Sequence, residues 1–237
     1  VRPLHSFDIA ACVILLDSIG SDIGIYLTKG AIAISKLDFE QAVEAYSKGL
    51  DRQPDVKDRA ELLMMRGLAY ALAKKPDYAE ADYTTVVGLV GQSDPRAYKY
   101  RGDFYYNRNR LELALAEYNA GAKLFPTNGK FPNGQGLVLT NQGKFDDAIK
   151  RFDEAIRLNP KYGTFYLGRA EAYNRSYRPQ RALEDYAKAL AQGDLSKGEI
   201  ERLRAGRGHA YFRLKDYDVA IKDFDVVLDS SPDFVNV

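Results

Sequence analysis

The sequence has few of the residues on which catalytic and metal sites most often depend. It contains one cysteine, two histidines and no tryptophan among 237 residues. The single Cys12 excludes an intrachain disulfide and a cysteine metal cluster, and His5 and His209 are too few for a histidine-rich metal site. No nucleophile elbow or comparable motif is present. We therefore predict no catalytic residues, no bound metal and no cofactor.

The chain also lacks an excess of charge and a long hydrophobic run. Its 34 basic and 33 acidic residues give a net charge of +1, so composition does not enforce the basic face that nucleic-acid binding requires. No apolar run approaches the ~20 residues that cross a bilayer. These absences predict a protein or peptide partner, no nucleic acid and no insertion into a membrane.

What the sequence does contain is a repeat of 34 residues. Six units occupy 23–56, 60–93, 95–128, 129–162, 163–196 and 201–234. The twentieth residue of every unit is an alanine: Ala42, Ala79, Ala114, Ala148, Ala182 and Ala220. The eighth residue is small: Gly30, Gly67, Gly102, Gly136, Ala170 and Gly208. The twenty-fourth is aromatic: Tyr46, Tyr83, Tyr118, Phe152, Tyr186 and Phe224.

These columns predict two antiparallel helices in each unit. Glycine inside a helix costs ~0.5–1 kcal/mol relative to alanine, so its recurrence indicates close packing. We expect the small eighth residue to face the small twentieth residue, with the aromatic residues filling the space towards the next unit. Proline cannot continue a helix, and it closes four units at Pro54, Pro126, Pro160 and Pro232. Joints at 57–59, 94 and 197–200 absorb the remaining spacing.

The columns closely resemble the tetratricopeptide repeat, although the tryptophan that is usual at the fourth position is absent. The resemblance implies an all-α, right-handed superhelical solenoid of antiparallel helix pairs. We expect residues 1–22 to form a leading helix that covers the first unit, and residues 235–237 to form a tail. The Arg-Gly-x-x-Tyr strings are weakly similar to exported alphaproteobacterial repeat proteins, which favours a bacterial periplasmic or secreted location over the cytoplasm.

Two units contain irregular segments. In the second unit, Pro76-Asp77-Tyr78 shortens the spacing between turn and helix, which predicts a shifted turn. In the fourth unit, one proline and two glycines lie between Lys130 and Gly136. Helix propensity is poor there, so we expect a frayed or late-starting helix.

In four units an arginine stands directly before the small eighth residue, and an acidic residue follows that arginine sixteen positions later. The arginines are Arg66, Arg101, Arg169 and Arg207, and their acidic counterparts are Asp82, Glu117, Asp185 and Asp223. In the fourth unit both columns change together, to Gln135 and Arg151. The coordinated change predicts structural ion pairs between the two helices of a unit and not a basic binding surface.

Members of this family bind ligands in a concave groove, at the second, fifth, ninth, twelfth and thirteenth positions of the first helices. Carried over to this sequence, those positions are apolar in the second unit, for example Met64 and Leu68, and polar or basic later. The predicted partner-binding residues are Lys99, Asp103, Tyr106, Asn107, Asn133, Asn141, Glu171, Asn174, Arg175, His209 and Arg213. Any one of them could be simply a solvated helix residue, whereas the set favours a groove that binds an extended chain or acidic groups.

Chaperone-binding members carry a clamp of lysine, asparagine, asparagine, lysine and arginine for two carboxylates. Here the best alignment begins with Lys99, but Asp103, Gly134, Thr164 and Gly168 stand at the other four positions. The clamp is therefore absent, which disfavours recognition of the acidic tails of heat-shock proteins.

The function predicted from the sequence is a non-catalytic scaffold or adaptor that binds a peptide or protein segment in its groove. Two alternatives remain open. The chain could be the regulatory or substrate-recruiting helical arm of a larger enzyme, or it could self-assemble through its C-terminal end. We expect apolar Val219, Val226 and Val227 to be exposed at that end.

Overall fold

In the computed structural model of the chain, residues 22–230 are described. They form twelve α-helices and no strand, so the predicted all-α solenoid fold is confirmed for this part of the chain. The helices are α1 (Asp22–Ser35), α2 (Phe39–Leu50), α3 (Val56–Leu72), α4 (Pro76–Val90), α5 (Pro95–Asn107), α6 (Leu111–Leu124), α7 (Lys130–Asn141), α8 (Phe145–Leu158), α9 (Gly163–Arg175), α10 (Pro179–Gln192), α11 (Lys197–Arg213) and α12 (Tyr217–Ser230). The expected leading helix, Cys12, Pro232 and the tail lie outside the described residues.

Internal contacts divide the chain into two compact units, Val1–Leu124 and Phe125–Val237. The described part of the first contains α1 to α6, and that of the second contains α7 to α12. In both, each odd-numbered helix packs against the helix that follows it, and that second helix packs against the first helix of the next repeat. The first helices of successive repeats also contact one another. Each repeat within a unit is thus stabilised by its immediate neighbours.

The turn between the two helices of a repeat has the same form in all six described repeats. It is three residues long, and its middle residue has a positive φ: Leu37, Lys74, Asn109, Gly143, Tyr177 and Lys215. The expected shifted turn in the second repeat is therefore wrong. Pro76 is the first residue of α4, where proline is favoured because its missing N–H would be unpaired anyway.

The expected frayed helix in the fourth repeat is also wrong, because α7 is continuous from Lys130 to Asn141. Pro132 lies in its first turn, where no intrahelical N–H is needed. Gly134 and Gly136 are both buried, and an alanine Cβ at residue 136 would lie 2.8 Å from the ring of Phe152. Packing against this ring outweighs the poor helix propensity of the segment.

Two of the joints expected between repeats are helical. Residues 57–59 lie within α3 and residues 197–200 within α11, and both helices have 17 residues. Asp55 caps α3 by accepting a hydrogen bond from the backbone N–H of Asp58. Ser196 and Glu199 form a capping box at the start of α11. These caps satisfy N–H groups that have no intrahelical partner, so each added segment extends its helix and does not act as a linker.

The glycine column has a different neighbour from the one that the sequence suggested. A Cβ at Gly30, Gly102 or Gly208 would lie 2.3, 2.6 and 2.7 Å, respectively, from the nearest ring atom of the aromatic residue sixteen positions later. The small eighth residue therefore accommodates the ring of its own repeat, and facing the alanine is not its main role. These rings are deeply buried in the first five repeats, where each is at most 1% exposed.

The predicted arginine–acid pairs are present in four repeats. Asp82, Asp185 and Asp223 each accept two hydrogen bonds, from Nε and Nη2 of their arginines, at 2.6–2.8 Å. The three aspartates are at most 6% exposed, whereas the side chains of their arginines are 16–27% exposed. A buried carboxylate needs such a partner because its desolvation is costly.

The third repeat has a longer acid and a less complete pair. Arg101 Nη2 lies 2.9 Å from Glu117 Oε1, but Arg101 Nε and Glu117 Oε2 are buried with no hydrogen-bond partner among the described residues. Burial raises the pKa of Glu117 above its ordinary value of 4.5, and Arg101 lowers it less. The native state therefore binds this proton more tightly than the unfolded state, and stability should fall as pH rises from 4.5 through the folded pKa.

We expect Glu117→Asp to increase the free energy of unfolding at neutral pH by about 1 kcal/mol, because the shorter acid matches the geometry that gives two hydrogen bonds elsewhere. The stability of the variant should also no longer decrease as the pH rises above 4.5, the ordinary pKa of Glu117. Urea denaturation across a pH series measures both effects. The reciprocal change, Asp82→Glu, should destabilise by a similar amount, and a stabilising effect of that change would contradict this explanation.

Candidate binding face

The first-helix face is defined here by the second, fifth, ninth, twelfth and thirteenth residues of the first helix of each repeat. In the second repeat the apolar residues of this face are not available to a ligand, because Met64 and Leu68 are buried in the core of the N-terminal unit. The expectation of an apolar groove near the start is therefore wrong for these two residues. α3, which carries both residues, contacts α1 on one side and α5 on the other.

In α5 the predicted site residues pair with each other. Lys99 Nζ donates a hydrogen bond to Asp103 Oδ2, and Asp103 Oδ1 accepts one of 2.8 Å from the hydroxyl of Tyr118. Burial raises the pKa of Tyr118 well above its usual value, and the charge of Asp103 adds to this effect. Lys99 and Asp103 thus have internal partners. Asn107 is exposed and Tyr106 is half-buried at the end of the helix.

Two predicted residues in the C-terminal unit also have structural partners. Glu171 lies 2.7 Å from Arg202 Nε in an ion pair that joins α9 to α11. Asn174 is 8% exposed, and its side-chain amide donates a 2.9 Å hydrogen bond to the carbonyl oxygen of Gly206. Asn133 is half-buried, and its Oδ1 has no hydrogen-bond partner among the described residues. Asn174 Oδ1 is likewise buried with no hydrogen-bond partner among the described residues.

Arg175 and Arg213 differ from the other charged residues of the face. Both are exposed and occupy the thirteenth position of their repeats. Arg175 Nη1 donates to Asn141 Oδ1 at 3.2 Å, and Arg213 Nη1 donates to the carbonyl oxygen of Asn174 at 2.6 Å. Both acceptors are neutral, so these contacts orient the guanidinium groups without neutralising their charge.

Aromatic rings hold the two arginines in place. The guanidinium of Arg213 lies 4.2 Å from the ring centroid of Tyr177, and that of Arg175 lies 5.5 Å from the ring centroid of Phe145. Such cation–π contacts reduce the freedom of a long side chain. Sequence reasoning missed both rings. Tyr177 is the positive-φ residue of its turn, a position that the repeat columns do not mark as part of the binding face.

His209 is exposed on α11, with its ring 5.2 Å from that of Phe224 in an edge-to-face contact.

Within residues 22–230 no group of three or more histidine, cysteine or acidic residues is placed to hold a metal ion. In the same range no helix is long and apolar enough to cross a membrane.

A family model described as tetratricopeptide repeat matches residues 27–93, 75–129, 133–199 and 178–233. The chain belongs to the tetratricopeptide repeat family. The six helix pairs of residues 22–230, the three-residue turns within them and the glycine positions that accommodate aromatic rings are therefore features of tetratricopeptide repeats.

Two relatives are Hsp70-Hsp90 organizing proteins from plants. The protein from Triticum aestivum is 26% identical over 218 residues, which cover 89% of this chain and 36% of that protein. Hsp70-Hsp90 organizing protein 1 from Glycine max is 27% identical over 211 residues, which cover 88% of this chain and 34% of that protein. The chain thus spans about a third of the length of these relatives.

Solved structures share the fold at lower identity. The match to the crystal structure of the APC/C hetero-tetramer Cut9-Hcn1 has a TM-score of 0.72 and 19% identity, and covers 94% of this chain and 43% of that chain. The structure of Pseudomonas aeruginosa pilF matches with a TM-score of 0.66 and 19% identity, over 89% of this chain and 92% of that chain. At this identity the likeness concerns the fold alone.

Proposed function

We propose that this chain is a non-catalytic interaction scaffold that binds an acidic peptide segment on the first-helix face of its C-terminal unit. Membership of the tetratricopeptide repeat family and the similarity to organizing proteins support the scaffold role. The observation that carries the choice of ligand is the pair Arg175 and Arg213, which are exposed, held by aromatic rings, and hydrogen-bonded only to neutral oxygens in the described structure.

The chemistry of this pair favours carboxylates. A guanidinium group offers several N–H donors in a planar fork that matches a carboxylate, and charge-assisted hydrogen bonds are roughly twice as strong as neutral ones. Each arginine uses one of its Nη1 donors on a neutral acceptor, so other donors remain for a ligand. The exposed ring of Tyr177, whose centroid lies 4.2 Å from the guanidinium of Arg213, offers apolar contact to the stem of a glutamate side chain.

The proposed site differs in its residues from a two-carboxylate clamp. Lys99, the only clamp residue in the best alignment, is already bonded to Asp103. Among the residues predicted from the family's groove positions, the two arginines carry the site that we propose. Their two exposed guanidinium groups suit an acidic chain end or a short acidic run. The bacterial and periplasmic location stays a prediction from the sequence.

The test uses the full chain and a fluorescein-labelled peptide of six glutamates. We expect Arg175→Gln combined with Arg213→Gln to weaken binding by about tenfold or more, because each lost charge-assisted hydrogen bond contributes roughly 1.5–3 kcal/mol. Fluorescence anisotropy at two salt concentrations measures the affinity and its dependence on charge. A six-glutamine peptide should not bind to either protein.

Arg181→Gln is the matched control, because Arg181 is exposed on α10, outside the first-helix face, and pairs with Glu184. This change removes one positive charge, as does each of the single variants Arg175→Gln and Arg213→Gln with which it is compared, and it should leave the affinity within about twofold. Equal loss of affinity in the control would mean that overall charge attracts the peptide, and binding that ignores the double variant would place the ligand elsewhere.

A further inference from the structure

The first described helix has an exposed stripe at positions that are buried elsewhere in the chain. Ile25 and Ile32 are 49% and 48% exposed, and they are the third and tenth residues of their repeat. In the second and third repeats the same positions hold Leu62, Ala69, Ala97 and Phe104, each at most 4% exposed. There they pack against the second helix of the preceding repeat. Ile25, Lys29 and Ile32 together are the α1 face.

The last described helix, α12, also has a stripe of exposed apolar residues. Tyr217, Ile221 and Leu228 are exposed on α12, at a spacing that places them on one side of the helix. Phe224 is half-buried on the same side, although the aromatic residue at this position is at most 1% exposed in each of the other five repeats. The expected exposure of Val226 is correct, whereas Val227 is 4% exposed and belongs to the core. Tyr217, Ile221, Phe224, Asp225 and Leu228 form the α12 face.

Contacts between successive repeats inside each unit show how an α12 face could pack against an α1 face, and these contacts are called the internal template. The seventh residue of a repeat reaches the twenty-fifth residue of the preceding repeat. Arg66 Nη1 donates to Ser47 Oγ at 3.2 Å, and Arg169 Nη1 lies 2.5 Å from Asp153 Oδ1. Lys29 is the seventh residue of its repeat and Asp225 is the twenty-fifth of its own. Both are exposed, and neither forms an ion pair with another described residue.

We infer that the α12 face of one copy of this chain binds the α1 face of a second copy, head to tail, with Lys29 of one copy against Asp225 of the other. Ile25 and Ile32 then contact Phe224 and Leu228, as the third and tenth residues contact the preceding repeat within each unit. The two copies thereby repeat a packing that the chain already contains.

The arrangement of charges favours a second copy as the occupant. The α1 face has a cation between two isoleucines, and the α12 face has an anion among apolar residues. Opposite charges thus occupy the two repeat positions that meet in the internal template. The contact joins two different faces, so every pair retains one free α1 face and one free α12 face, and association extends with concentration.

Charge reversal in the full chain tests this inference. Lys29→Glu alone and Asp225→Lys alone each place like charges opposite one another, and each should raise the apparent dissociation constant of self-association by about tenfold or more. An equimolar mixture of the two variants should restore association, because the introduced glutamate then faces the introduced lysine. Sedimentation velocity over a concentration series measures all three cases.

Lys222→Glu is the matched control, because the twenty-second residue is exposed in every described repeat. This variant should associate like the parent chain. A parent chain that stays monomeric throughout the series overturns the inference. In that case residues 1–21 or a different protein would be the occupant of the α1 face. Failure of the mixed variants to regain association overturns it as well.

Discussion

Asp185→Asn is expected to lower the free energy of unfolding of the C-terminal unit by about 3 kcal/mol, at the lower end of the range for breaking a buried ion pair. Asp185 is 2% exposed and accepts hydrogen bonds of 2.7 and 2.8 Å from Arg169. The amide cannot accept from both guanidinium donors, so Arg169 loses its buried acidic partner and keeps only the exposed Asp153. Urea denaturation followed by circular dichroism measures the change.

Asp153→Asn provides the control on the same arginine. Asp153 also contacts Arg169, but its side chain is 52% exposed, so this change should cost no more than about 1 kcal/mol. Arg169→Met combined with Asp185→Leu should recover most of the lost stability, because it leaves neither charge buried and unpaired. Equal effects of the two asparagine changes would contradict the dominant role of the buried acid.

Hydrogen exchange can locate the effect of Asp185→Asn within the chain. Because repeats are stabilised mainly by their neighbours, amide protection should fall in α9 and α10 and persist in α3 and α4. Uniform loss of protection from residue 22 to residue 230 would instead indicate that the described repeats unfold as one cooperative body.

The ion pairs could be predicted from sequence because two columns change together. An arginine at the seventh position accompanies an acid at the twenty-third, and both are replaced in the fourth repeat by Gln135 and Arg151. The sequence did not reveal how deeply the acids are buried, because burial depends on the neighbouring helix. It also could not show that Glu117 pairs less completely than the aspartates, since that difference arises from the length of one side chain.

The prediction that the small eighth residue mainly faces the alanine was wrong for a related reason. A column shows which positions of a repeat are small or large, but it does not show which pairs touch. The eighth residue could face the alanine or the ring, and only the crossing of the two helices decides this. The irregular segments at Pro76 and Lys130 were misjudged because local propensity is outweighed by the packing of a regular repeat.

Most of the candidate site came from family positions, which identify a face but not its chemistry. Whether Lys99 or Arg175 is available to a ligand depends on which side chains surround it. Lys99 has an acid one helical turn away, whereas Arg175 donates a hydrogen bond to the neutral side chain of Asn141. The structure thus narrows the predicted set towards Arg175 and Arg213, whose role in binding stays a proposal.

Gly102→Ala is expected to lower the free energy of unfolding of the N-terminal unit by about 1–3 kcal/mol, the usual cost of overpacking a core. An alanine Cβ would lie 2.6 Å from Cε1 of Tyr118, so the ring or the helix must move. The ring cannot turn aside freely, because its hydroxyl donates a hydrogen bond to Asp103. Thermal and urea denaturation measure the loss.

Gly88→Ala separates the effect of packing from that of helix propensity. Gly88 lies inside α4, and no atom stands within 4 Å of an added Cβ. Here the same substitution should stabilise by about 0.5–1 kcal/mol, because alanine is the better helix former. Ala170 already occupies the glycine position of the fifth repeat, where the hydroxyl of Tyr186 lies against Gly206 instead of an aspartate. Stabilisation by Gly102→Ala comparable to that of Gly88→Ala would show that the ring of Tyr118 yields easily, and that its bond to Asp103 does not hold it in place.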